Sequence, residues 1–139
     1  MRKRTLAREY ALQILYLIDT TKDDCEKAIV NFWQFNDTEE VDAEVAGFSA
    51  ELVRGVNKHL KEIDGNIAQY AANWEMERMS VVDRNILRMG SYELLFRKDI
   101  PPKVAINEAI DLSKKYSSPS AGKFVNGILD KIIPQKDNV

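Results

Sequence analysis

Two groups of side chains in this sequence could do chemistry, and both would act on anions. The first is Arg2, Lys3, Arg4 and Arg8, which meet no acid within the first eight residues. A helix that starts here already carries partial positive charge at its N-terminus, so these cations do not stabilise it locally. Arg8 lies one turn beyond Arg4, which puts both on one face if the helix extends that far. Arginine forks match the geometry of phosphate oxygens, so an external anion is their natural partner. A frayed basic tail is the plainer alternative. The second group lies near the other end: Lys114, Lys115 and Tyr116, then Lys123, Phe124 and Asn126. Lysines can hold a nucleic-acid backbone, an aromatic ring can stack an unpaired base, and an amide can read a base edge. Hydrophobic spacing favours the plainer reading of Phe124, a core residue with the lysines dressing the surface around it.

Nothing else in the chain reads as reactive. His59 is the one histidine and has no Cys at ligand spacing, so no zinc site is expected. It should lie solvated near a helix end. The single Cys25 excludes an internal disulfide and fits a reducing, cytoplasmic setting. Gly47, Gly55, Gly65, Gly90, Gly122 and Gly127 are scattered singly and build no phosphate loop; they read as close helix contacts or helix ends. No nucleophile sits on a strained turn, and Glu39 and Glu40 read as a solvated helix start. The expectation is a binding protein with neither enzymatic activity nor a cofactor.

A chain of 139 residues is long enough to bury a core without metals or disulfides. Its net charge of −2 says little about partners, but the distribution says more. From Asp19 to Glu44 the acids Asp19, Asp23, Asp24, Glu26, Asp37, Glu39, Glu40, Asp42 and Glu44 face only Lys22 and Lys27. Segregation of this kind implies a positive and a negative pole, hence two different partners. No apolar run approaches a membrane span. The stretch Leu6 to Ile18 is interrupted by Arg8, Glu9 and Gln13, as in an amphipathic helix and unlike a secretory leader.

The hydrophobic period that positions these groups is helical throughout. Ala7, Tyr10, Ala11, Ile14, Leu15 and Ile18 define a first helix. Asp23 or Asp24 caps a second, which carries Ile29, Phe32 and Trp33. Val41, Val45, Phe48, Leu52, Val56 and Leu60 form a long stripe that should break near residues 57–61 and pass into a fourth helix with Ile63, Ile67 and Tyr70. Ser80 and Asp83 open a fifth helix, which Asp99 to Pro102 ends. A sixth runs to about Tyr116, and Ser118 with Pro119 starts a seventh, which Pro134 should stop. The fold class is therefore all-α, with seven helices in two packed bundles, three helices and then four. The division expected is an N-terminal subdomain over about 1–60, a C-terminal one over about 61–134, and a short polar tail over 135–139.

Four blocks of residues resemble the bacterial NusB family. The opening R-K-R-T-L-A-R-E-Y-A-L-Q-I-L-Y, Arg2 to Tyr16, is similar to that family's arginine-rich first helix. V-V-D-R-N-I-L-R-M-G-S-Y-E-L-L, Val81 to Leu95, resembles its central helix. D-I-P-P-K-V-A-I-N-E-A-I-D-L-S-K-K-Y-S, from Asp99, and K-F-V-N-G-I-L-D-K-I, from Lys123, resemble its C-terminal signature. Each block is a weak motif singly, and the four stand in family order. The acidic stretch Asp19 to Glu44 matches nothing familiar, and S-S-P-S-A-G before Lys123 lacks the acid that many relatives carry.

The resemblance implies a role in transcription antitermination on ribosomal RNA operons, without catalysis. The implied partners are the ribosomal protein NusE, a single-stranded boxA-type RNA and the RNA polymerase antitermination complex, with no membrane partner. The implied RNA-binding residues are Arg2, Lys3, Arg4, Arg8, Lys114, Lys123, Phe124 and Asn126. Tyr16, Tyr70, Asp83 and Arg84 would face NusE, although Asp83 could equally be a capping acid and Tyr16 a core residue. Two rival readings stay open: a helical adaptor that binds only proteins, and a noncatalytic domain like those fused to ribosomal RNA methyltransferases. The second is disfavoured because no cofactor-binding sheet follows Val139. Self-association, including a homodimer, is left open.

Overall fold

The computed structural model describes residues 2–35, 41–71 and 75–137, with side chains through residue 133. It contains seven helices: α1 Lys3–Thr21, α2 Cys25–Phe35, α3 Ala43–Lys58, α4 Leu60–Tyr70, α5 Val81–Phe96, α6 Pro102–Tyr116 and α7 Ala121–Asp137. A single 3₁₀ turn, Met76–Arg78, precedes α5, and there is no strand among the described residues. The chain divides into two compact units, Met1–Lys58 and His59–Val139. Asp37, Glu39 and Glu40 lie outside the described residues.

In the first unit α1 packs chiefly on α3, with α2 against both. The periodic residues turn inward as their spacing requires: Ala7, Ala11, Ile14 and Leu15 from α1, Ile29 and Phe32 from α2, and Val45, Phe48, Leu52 and Val56 from α3 are all buried. Tyr10, Phe32 and Trp33 add a cluster of edge-to-face rings, with centroids 4.9 to 5.9 Å apart. Acids open α2 and α3. Asp24 Oδ2 accepts from the Lys27 amide at 3.2 Å, and Asp42 Oδ1 accepts from the Glu44 amide at 2.8 Å. Each satisfies a backbone donor that a helix start leaves unpaired.

The second unit is arranged around α5, which packs on α4, α6 and α7. The Ser80 hydroxyl caps α5 by accepting from the Asp83 amide at 3.0 Å. Arg88 of α5 grips Asp64 of α4 through two parallel bonds of 2.8 and 3.0 Å. Gly90 lets α7 approach closely: a Cβ there would lie 2.9 Å from Leu129 Cδ1 and 3.6 Å from Ala109 Cβ. Leu129 is fully buried and cannot swing away. By contrast Gly47, Gly65 and Gly127 have nothing within 4 Å, so of the two readings given, close contact or helix end, the first does not apply to them.

Two expectations need correction. Helix α7 runs through Pro134 to Asp137. An interior proline removes one amide bond and crowds the carbonyl four residues back, which can kink a helix without ending it, since residues beyond it still donate. His59 does sit at a helix start, but it is not simply solvated. Its half-buried ring stacks on Phe96 with centroids 3.9 Å apart and planes 13° from parallel.

Candidate nucleic-acid interface

The basic start of α1 is engaged by its own unit. No acid lies in the first turn of α1, but two carboxylates arrive from the start of α3. Lys3 Nζ is 3.1 Å from Asp42 Oδ2 and 3.2 Å from Glu44 Oε2. These bonds raise the Lys3 pKa above the ordinary lysine value. Asp42 is held below the usual carboxylate range, first by the Glu44 amide and then by Lys3. The negative pole seen in the sequence thus reaches the positive one, and the acids that the first eight residues lack are supplied to Lys3 from α3. Arg2 precedes α1 with no side-chain cap and is exposed.

Arg4 and Arg8 do share a face, but that face looks toward α3. Their guanidinium carbons lie 4.3 and 5.5 Å from the centre of the Phe48 ring, within cation–π range. Arg4 stays exposed, whereas Arg8 is only 2% exposed. A side chain so deeply buried cannot meet a phosphate at the surface, and the expectation for Arg8 is corrected on that ground. Lys3, Arg4, Glu44, Gly47, Phe48 and Glu51 line a hollow of about 570 Å³, where cations and acids alternate.

The second unit presents its cations differently. Lys114, in the last turn of α6, and Lys123 and Asn126, in the first turns of α7, are exposed. Lys115 lies 5.5 Å from the Tyr116 ring. Phe124 is neither wholly core nor wholly surface. Its neighbours Val125, Ile128 and Leu129 take the buried positions of α7, and Phe124 is half-buried. It lines a hollow of about 220 Å³ with Arg78, Met79, Ser80, Asp83, Ser118 and Ser120. Ser118 accepts from the Ala121 amide at 3.2 Å and meets the Ser120 hydroxyl at 3.1 Å, so this loop is held in place by hydroxyls.

Of the residues expected to face a protein partner, Tyr16 is 42% exposed and therefore not core. Tyr70 is half-buried. Asp83 keeps one carboxylate oxygen, Oδ1, buried and without a hydrogen-bond partner among the described residues. Arg84 is turned to its own chain and donates to the carbonyl of Met76 at 3.2 Å, which ties down the 3₁₀ turn. Sequence reasoning missed Asp42, Glu44 and Phe48, the groups that decide how α1 holds its cations. The stripe of α3 was visible, but nothing local indicated that α3 would lie along α1.

Comparison with known proteins places this architecture. Residues 5–134 match the model of the NusB family. The chain is 52% identical to the transcription antitermination protein NusB of Anaeromyxobacter sp. (strain Fw109-5) over 130 residues, which span 94% of this chain and 89% of that one. It is 46% identical to the NusB of Syntrophus aciditrophicus (strain SB), covering 95% and 80% of the two chains. Among solved structures, NusB of T. maritima superposes with a TM-score of 0.84 at 34% identity, over 100% of this chain and 99% of the other. A chain from the crystal structure of antitermination factors NusB and NusE in complex with double-stranded RNA gives a TM-score of 0.86 at 31% identity, over 97% and 98%. With four sequence blocks in order and the same seven-helix fold over its whole length, this chain belongs to the NusB family.

Proposed function

We infer that this chain is an RNA-binding transcription antitermination factor. It pairs with ribosomal protein NusE, holds a boxA-type single strand of ribosomal RNA operon transcripts, and joins the RNA polymerase antitermination complex in the cytoplasm without catalysing a reaction. The observation that carries this reading is the likeness, over nearly all of both chains, to a NusB crystallised with NusE and RNA. The two compact units act as subdomains. Phosphate contacts come from Arg2, Lys3 and Arg4 in the first and from Lys114 and Lys123 in the second. Phe124 and Asn126 supply the ring and amide through which an unpaired base is recognised. Tyr16, Tyr70, Asp83 and Arg84 are the proposed NusE-facing residues.

The test is a titration of labelled boxA RNA, single-stranded and duplex, at several salt concentrations with and without NusE. The single strand should bind more tightly when NusE is present. Its affinity should fall by about 0.7 log units per log unit of salt for each phosphate contact. Binding that ignores salt, or none at all, removes the proposal. Phe124→Ala should weaken single-strand binding by roughly tenfold, within the range of one lost base–aromatic stack, with little change in thermal midpoint. A lower midpoint with unchanged affinity returns Phe124 to the core.

A protein-only adaptor draws support from one observation, the occupation of Lys3 by Asp42 and Glu44. Equal RNA affinity in wild type and an Arg2/Lys3/Arg4→Ala variant would strip α1 of its role. Loss of binding in that variant would remove the adaptor reading.

A further inference from the structure

The carboxylates that hold Lys3 are built in a way that a mere strut does not need. Asp42 uses its two oxygens separately: Oδ1 accepts from the Glu44 amide at the start of α3, and Oδ2 faces Lys3. The carboxylate is thereby oriented by the backbone before it meets the ammonium. Glu44 Oε2 makes a second approach to the same nitrogen, so two negative groups share one positive one. All three side chains remain open to water, at 58% exposure for Lys3, 46% for Asp42 and 74% for Glu44. Exposed pairs of this kind add little to fold stability and weaken further in salt. They do engage two of the three donors of the Lys3 ammonium, which a phosphate would otherwise use. They also leave surplus negative charge beside Arg4, on the rim of the same hollow.

We propose that Asp42 and Glu44 are intramolecular phosphate mimics, which compete with RNA for Lys3 and set the threshold at which the first helix accepts a nucleic-acid backbone. This rests on the RNA-binding reading above and adds the residues that tune it. A weak anion fails to displace two preplaced carboxylates. A phosphate chain anchored elsewhere on the protein succeeds, because its other contacts bring it near Lys3 at high effective concentration. The device therefore favours a multiply anchored RNA over scattered anions.

The experiment uses the full chain with Asp42→Asn and Glu44→Gln combined. Asparagine keeps the oxygen that caps α3, and so preserves the fold while removing the charge. Single-stranded boxA RNA at low salt should bind roughly three- to tenfold more tightly, the sum of two exposed pair effects. Its salt slope should stay within about 0.7 of wild type, because Lys3 meets phosphate in both proteins and only the cost of displacing the carboxylates is removed. Adding Lys3→Ala to that background should abolish the gain, and the thermal midpoint should stay within about 2 °C of wild type. A control with the same loss of charge, Glu62→Gln with Glu77→Gln, should change affinity little. Unchanged or weaker binding overturns the inference, as does an equal gain in the control, which would reduce the effect to net charge. Wild type that binds RNA while the variants do not differ from it sinks this inference alone. Wild type that binds no RNA sinks the underlying reading with it.

Discussion

The first unit carries four candidate cations and the second two, and the two units hold them differently. In the first, Lys3 is shared by two acids, Arg4 lies over Phe48 and Arg8 is buried. In the second, Lys114 and Lys123 stand in solvent on the ends of α6 and α7. The difference follows from where each cation falls on its helix. Those of α1 reach toward α3, whereas Lys114 and Lys123 flank buried positions such as Ser113 and Gly122 without occupying them. A count of arginines and lysines in sequence therefore measures how much positive charge exists, and the packing decides how much of it a ligand can reach.

The contrast can be broken most forcefully at Arg8. Arg8→Ala should destabilise the protein by roughly 2 kcal/mol, through lost packing of its methylenes and lost contact with Phe48. Thermal or urea unfolding measures this. Unchanged stability with weakened RNA binding would instead place Arg8 among the ligand contacts. Next in size, Lys114→Ala with Lys123→Ala should weaken RNA binding about tenfold at low salt, flatten the salt slope by about 1.4, and leave the unfolding midpoint alone. A shifted midpoint would mean that the second unit, too, uses its lysines internally.

The smallest effect is on pH. Asp42 and Glu26 titrate below their ordinary values, Asp42 through the Glu44 amide and Lys3, and Glu26 through Arg54. A lowered folded-state value gives stability that is present above the ordinary carboxylate range and is lost as pH falls through the folded one. Lys3 titrates above its ordinary value, so its share is present at neutral pH and is lost only at strongly alkaline pH. The thermal midpoint should be flat from about pH 6 to 9 with respect to these groups and fall slightly below about pH 4. Glu26→Gln with Asp42→Asn should shrink that acid-side fall. An unchanged fall would assign it to other carboxylates.

How much of this was legible in the sequence varies with distance along the chain. Helices, caps and breaks were legible, because a three- to four-residue period and the Ser80 and Asp24 side chains act within a turn of themselves. The shared face of Arg4 and Arg8 was legible for the same reason. Its direction was not, since that depends on Phe48 arriving from another helix. Nor was the pairing of Lys3 with Asp42, because the sequence presents these two residues as members of opposite charge blocks. Pro134 shows the limit of a local rule, for α7 continues past it. Phe124 fell between two readings because it is half-buried in the second unit and also lines a hollow.

The narrow gap between Gly90 and Leu129 makes size at those two positions a joint property. Carbon added to one must be withdrawn from the other, or α7 is levered outward and carries Lys123 and Asn126 with it. The depth at which the last helix rides is thus gauged by an atom that α5 does not have.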